Sequence, residues 1–88
     1  MSVSASDIDA ALRARLQPTQ LVVQDDGHLH AGHAGAREGG HFSVQIVSER
    51  FAGLSRVARH RLVYDAAAAL MARGIHALAI DARAPGEA

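Results

Sequence analysis

Eighty-eight residues suffice for one domain with one modest core, because a chain this short buries only about 60% of the surface its unfolded form exposes. Apolar residues make up 49% of the chain but aromatics only 3%, so the core is aliphatic, and nine arginines against nine acidic residues leave no global positive field to draw in nucleic acid or anionic lipid. Cysteine is absent, which excludes a disulfide framework, a thiolate nucleophile and a self-sufficient iron–sulfur or Cys-based zinc site.

All the basic side chains are arginine, so any local basic patch consists of planar forks suited to phosphate or carboxylate. No basic stretch followed by an apolar one opens the chain. No run approaches the roughly 18 apolar residues of a membrane span. The expectation is a cytoplasmic chain with no membrane partner, folded as a single domain over 1–88 with an ordered core from about 5 to 83.

In chain order, Ser6 with Asp9 reads as a capping box, and Ile8, Leu12 and Leu16 at helical spacing predict a helix of about ten residues ending before Pro18. Leu21 to Gln24 is a β-branched run closed by Asp25, Asp26 and Gly27 and predicts a strand. From Gly27 to Gly40 the chain has no apolar periodicity and reads as a long loop carrying His28, His30 and His33. "HFSVQIVS" then alternates, with Phe42, Val44 and Ile46 on one face and Ser43 and Gln45 on the other, as in a half-buried strand hairpinned antiparallel to the first. His41 reads as a residue capping the loop end.

"ERFAGLS" is a turn with Gly53 free to take a positive φ, and Ser55 is a good N-cap. Arg56 to Arg73 predicts one long helix with Ala58, Leu62, Ala66, Ala69 and Leu70 inward and Gly74 just past its end. "IHALAID" predicts a third strand, and Pro85 with Gly86 a frayed tail. A helix between the second and third strands invites a parallel crossover. The fold class is therefore α+β, a two-layer sandwich ordered helix-strand-strand-helix-strand with a three-stranded mixed sheet, of type II KH-like topology.

Three stretches carry a family resemblance: "HF" opening the second strand, "RFAGLSRVARHRLVY" at 50–64 and "IHALAI" at 75–80. Phe51, Gly53 and Ser55, then Arg59, His60 and Arg61, then His76, Ala77 and Leu78 resemble the Phe-x-Gly-x-Ser, Arg-His-Arg and His-Ala-Leu signature of the BolA family. The resemblance implies the KH-like fold and a partnership with a monothiol glutaredoxin around a [2Fe–2S] cluster shared with the partner's glutathione. Cluster assembly, trafficking or iron regulation is the implied setting. It also implies, for some members, DNA-binding transcriptional regulation. His76 matches the cluster-facing histidine of the family, and His30 matches a second ligand in the loop, where His33 and His28 are also on offer and the choice among the three stays open.

The chemistry fits that division, since imidazole replaces thiolate on one iron of Rieske centres while a chain without cysteine supplies no thiolate. His76 also reads as a partly buried histidine, because strand alternation puts it on the face of Leu78 and Ile80. The start of the long helix carries the rival reading: Arg56, Arg59, His60 and Arg61 gather where phosphate or a partner surface can be met, although the Gly-x-x-Gly clamp of true KH domains is incomplete and Arg61 is spaced to pair with Asp65.

Enzyme readings fail on geometry. Ser55 and His60 do not face each other on a helix, Asp25 and Asp26 alternate across a strand end, and Gly32, Gly35, Gly39 and Gly40 fit no phosphate-binding motif. The chain reads as a non-enzyme, a monomer or weak homodimer by itself, with no cofactor held tightly alone.

Overall fold

The computed structural model describes residues 3–26 and 40–87. Helix α1, Ala5–Leu16, is followed by strands β1, Gln20–Asp25, and β2, Gly40–Val47, a single 3₁₀ turn at Glu49–Phe51, helices α2, Arg56–Ala66, and α3, Ala68–Arg73, and strand β3, Ile75–Arg83. The sheet order is β1-β2-β3, antiparallel between β1 and β2 and parallel between β2 and β3. This is the expected α+β sandwich with a mixed sheet.

One face of the sheet is covered. Phe42, Val44 and Ile46 of β2 and Leu78 of β3 are buried and join Ile8, Leu12 and Leu16 of α1, Val63 of α2 and Leu70 of α3 in one aliphatic core. Val22 of β1 is 57% exposed and Gln45, its partner in register, is exposed too, so the other face lies open. Phe51, fully buried, is the aromatic that anchors the turn after β2, and Ser48 beside it donates its hydroxyl to the Leu16 carbonyl at 2.6 Å, tying that turn to the end of α1.

Four local expectations are corrected. The capping box is Ser4 with Asp7, two residues earlier than Ser6 with Asp9: the Asp7 amide donates to the Ser4 hydroxyl and the Ser4 amide to the Asp7 carboxylate, which sits below its usual pKa chiefly through that backbone hydrogen bond. The long helix is divided at Ala67, whose amide reaches back to Val63 and Asp65. Its inward face holds the expected Leu70, with Leu62 and Ala66 packed against the core, and adds buried Val63 and Ala67, while Ala69 is exposed, because the break rotates the last turn and a stripe of alanines constrains phase only weakly. Arg61 and Asp65 form no ion pair among the described residues, both lying in water where such a pair gains little. Finally, the segment after β3 is held, with Ala84 buried and Glu87 engaged by its carboxylate.

Gly53, at φ 76, and Ser55, whose hydroxyl accepts from the Ala58 amide at 3.1 Å, behave as their residue types dictate. Gly40 is needed for a different reason: a Cβ there would overlap the edge of the Phe42 ring. That ring is 2% exposed, and the Gly40 amide is fixed by its bond to the Gly74 carbonyl at 2.8 Å, so neither side has room to yield. Gly40→Ala is expected to destabilise the fold by about 1–3 kcal/mol, measured as a lower urea midpoint; an unchanged midpoint would show that the ring repacks freely.

Candidate functional site

β2 and β3 run in parallel register from Phe42↔Leu78 to Val47↔Arg83, but at their beginning Gly40 pairs with Ile75 and His41 with Ala77. His76 is thus the extra residue of a β-bulge. Simple alternation would turn it toward the core with Leu78 and Ile80. The bulge resets the phase, so Ile75 and Leu78 are buried while His76 and Ala77 are both exposed. The reading of His76 as a histidine sharing the Leu78 face is corrected here.

Its neighbour is His41, half-buried on β2, with ring centroids 5.1 Å apart and planes inclined by 38°. The rim around this pair is well tied. The Asp26 amide donates to the His41 carbonyl at 2.8 Å, and the Ser43 hydroxyl donates to the Asp26 carboxylate. Both chain ends that flank 27–39 are therefore anchored beside the two histidines. His28, His30 and His33 lie outside the described residues, and among the described residues no three His, Cys, Asp or Glu side chains converge as a metal-ligand set. What the rim offers chemically is two neighbouring imidazoles, the exposed one of His76 and the half-buried one of His41. They suit the role of contributing nitrogen to a metal centre completed from elsewhere.

Sequence reading missed His41 as a companion of His76. The available signal was that "HF" and "HA" each place a histidine just ahead of the apolar alternation of a strand, and parallel pairing of those strands brings the two together.

The arginines stand elsewhere. Arg59 donates to the Leu54 carbonyl at 3.0 Å, to the Ala82 carbonyl at 3.2 Å, and through both terminal nitrogens to Glu87 at 2.5 and 2.8 Å. Its side chain is only 14% exposed. This guanidinium clamps the chain end to the start of α2, so any outside acid or phosphate reaching it has to displace Glu87. Arg56 and Arg61 are exposed, and Arg56 and half-buried His60 line a cleft of about 320 Å³ with Asp81 and Arg83, which pair with each other at 3.0 Å. Ala82 is six residues beyond His76 on β3, about 20 Å at 3.3 Å per residue. Histidine rim and arginine cleft are at opposite ends of one strand.

The Arg59 bond, and then the Ala84 amide, hold the Glu87 carboxyl at about 2, below its ordinary 4.5. A depressed carboxylate contributes stability above its unfolded value and loses it as pH falls through the folded one. Wild type should accordingly exceed Glu87→Gln in stability at neutral pH, with the gap closing between pH about 4.5 and about 2 in urea titrations. A gap that stays constant across that window would show that the clamp contributes through packing alone.

Residues 12–87 match the family model described as BolA-like protein. The chain is 41% identical over 87 residues to the protein BOLA1, chloroplastic, of Arabidopsis thaliana, an alignment covering 94% of this chain and 54% of that one, so it spans about half the length of that relative. It is 47% identical over 73 residues to the DNA-binding transcriptional regulator BolA of Vibrio cholerae, covering 83% of this chain and 67% of that one. Among solved structures, the BolA domain of SufE1 from Arabidopsis thaliana superposes with a TM-score of 0.84 at 41% identity, covering 100% of this chain and 99% of that one.

Proposed function

The chain belongs to the BolA-like family, and on that premise we propose that it is a non-enzymatic interaction module that joins a monothiol glutaredoxin around a shared [2Fe–2S] cluster. The observation that carries this reading is the solvent-open His76, freed by its bulge beside His41, in a chain with no cysteine. Such a rim can give imidazole nitrogen and no sulfur. The thiolates are then the partner's, from its own cysteine and its bound glutathione, and the cluster is cargo held between two proteins.

In this arrangement His76 is the ligand on strand β3, and His30 or His33, from the segment between Asp26 and Gly40, supplies the other. Two imidazoles on one surface then accept a cluster already seated on the glutaredoxin. Imidazole ligation raises the reduction potential of such a cluster relative to all-thiolate ligation, which suits exchange or sensing. The compartment we propose is the cytoplasm, whose reduced thiol pool a glutaredoxin draws on. Among the described residues no helix is long and apolar enough to cross a membrane.

Anaerobic co-purification with a monothiol glutaredoxin tests the reading. His76→Ala is expected to change the visible circular dichroism of the shared cluster and shorten its lifetime, with His30→Ala or His33→Ala doing the same for the second ligand. Spectra untouched by His76→Ala would remove the ligand claim.

A second reading, DNA binding from the start of α2, is favoured by the name of the Vibrio cholerae relative and by the exposure of Arg56 and Arg61. It expects duplex affinity that falls with salt, and a salt slope smaller by about 1 for each arginine neutralised in Arg56→Ala and Arg61→Ala. No binding at low salt would dismiss it.

A further inference from the structure

We propose that His41 and His76 form a divalent-cation site of the chain by itself, taking one first-row ion such as Zn²⁺ through two imidazole nitrogens, with water completing the shell. With metal–nitrogen bonds of about 2.1 Å and the ring centre about 1.1 Å beyond the ligating nitrogen, two imidazoles on one tetrahedral ion stand about 5 Å apart centre to centre. The two rings stand 5.1 Å apart.

The backbone holds this spacing. Both histidines sit on paired strands of one sheet, at the bulge that reorients His76, and the Gly40 amide locks the beginning of β2 to Gly74 just ahead of β3. A site on strands needs little reorganisation to close on an ion. His76 is exposed, so an ion has an entry path. Ser43, two residues along β2 from His41, carries the Asp26 carboxylate on its hydroxyl, which adds negative charge near the rim without making a third ligand. Two imidazoles without thiolate suit Zn²⁺, Ni²⁺ or Cu²⁺, and exclude Ca²⁺ and Mg²⁺, which demand oxygen.

The site shares His76 with the cluster proposal but needs neither glutaredoxin nor iron. A cation held here and a cluster bound through His76 exclude one another, which makes cation occupancy a means of keeping the free chain from receiving a cluster.

The test is calorimetry of the isolated 88-residue chain with Zn²⁺ alone, comparing wild type with His41→Gln, His76→Gln and a variant with His28, His30 and His33 all changed to Gln. Far-UV circular dichroism checks that each is folded, and His41→Asn serves as a second substitution should His41→Gln not fold. One ion per chain is expected, with affinity lowered by about tenfold or more in both His41→Gln and His76→Gln. Loss on changing His41 and on changing His76 upholds the pair whatever the loop variant does, and full affinity in His76→Gln overturns it. Full affinity in His41→Gln, or no Zn²⁺ uptake by wild type, overturns it. Neither result bears on the shared cluster, because no partner is present.

Discussion

One extra residue in β3, opposite the junction of Gly40 and His41, decides what kind of surface this chain presents. Strand alternation is strict, so a slip of one position transfers a side chain from one face of a sheet to the other. Here the slip is local. It leaves Leu78, with Ile80 and Ala82 beyond it, on the core side while turning His76 out beside His41. Gly40 makes that geometry possible, because the Phe42 ring occupies the space a side chain would need. Core packing and the histidine rim are thus two consequences of the same few backbone atoms.

The opposite end of the sheet is organised by charge. Arg59 gathers the Leu54 carbonyl, the Ala82 carbonyl and the Glu87 carboxylate, joining the turn before α2, the end of β3 and the segment after it. In a small domain with an aliphatic core, a largely shielded guanidinium making several charge-assisted bonds ties together segments that a larger core would hold by burial. About a strand's length separates it from the histidines. The surface proposed for a shared cluster and the surface proposed for nucleic acid therefore fall on different ends of this molecule, and neither has to compromise the other.

Much of the architecture was legible in residue patterns. Phe42, Val44 and Ile46 alternate with polar residues, Ser55 precedes a helix, and Gly53 sits where a positive φ is required; each of these is a local preference that neighbours reinforce. Local preference was misleading where several residues offered the same signal. Ser4 and Ser6 both have an aspartate three positions on, and only the packing of α1 selects Ser4. The alanines of 66–69 support any helical phase, so the break at Ala67 and the inward turn of Val63 depend on what the sheet presents to them.

The sequence by itself determined the class of fold, the membership of the BolA-like family and the lack of thiolate ligands, because these rest on composition, period and motif, which need no partner in space. Only the tertiary structure decided that His76 faces solvent, that His41 is its companion, and that Arg59 is occupied by Glu87. Each of those depends on pairings between segments 28 or more residues apart, and a β-bulge or a long-range ion pair leaves no periodic trace in the chain that forms it.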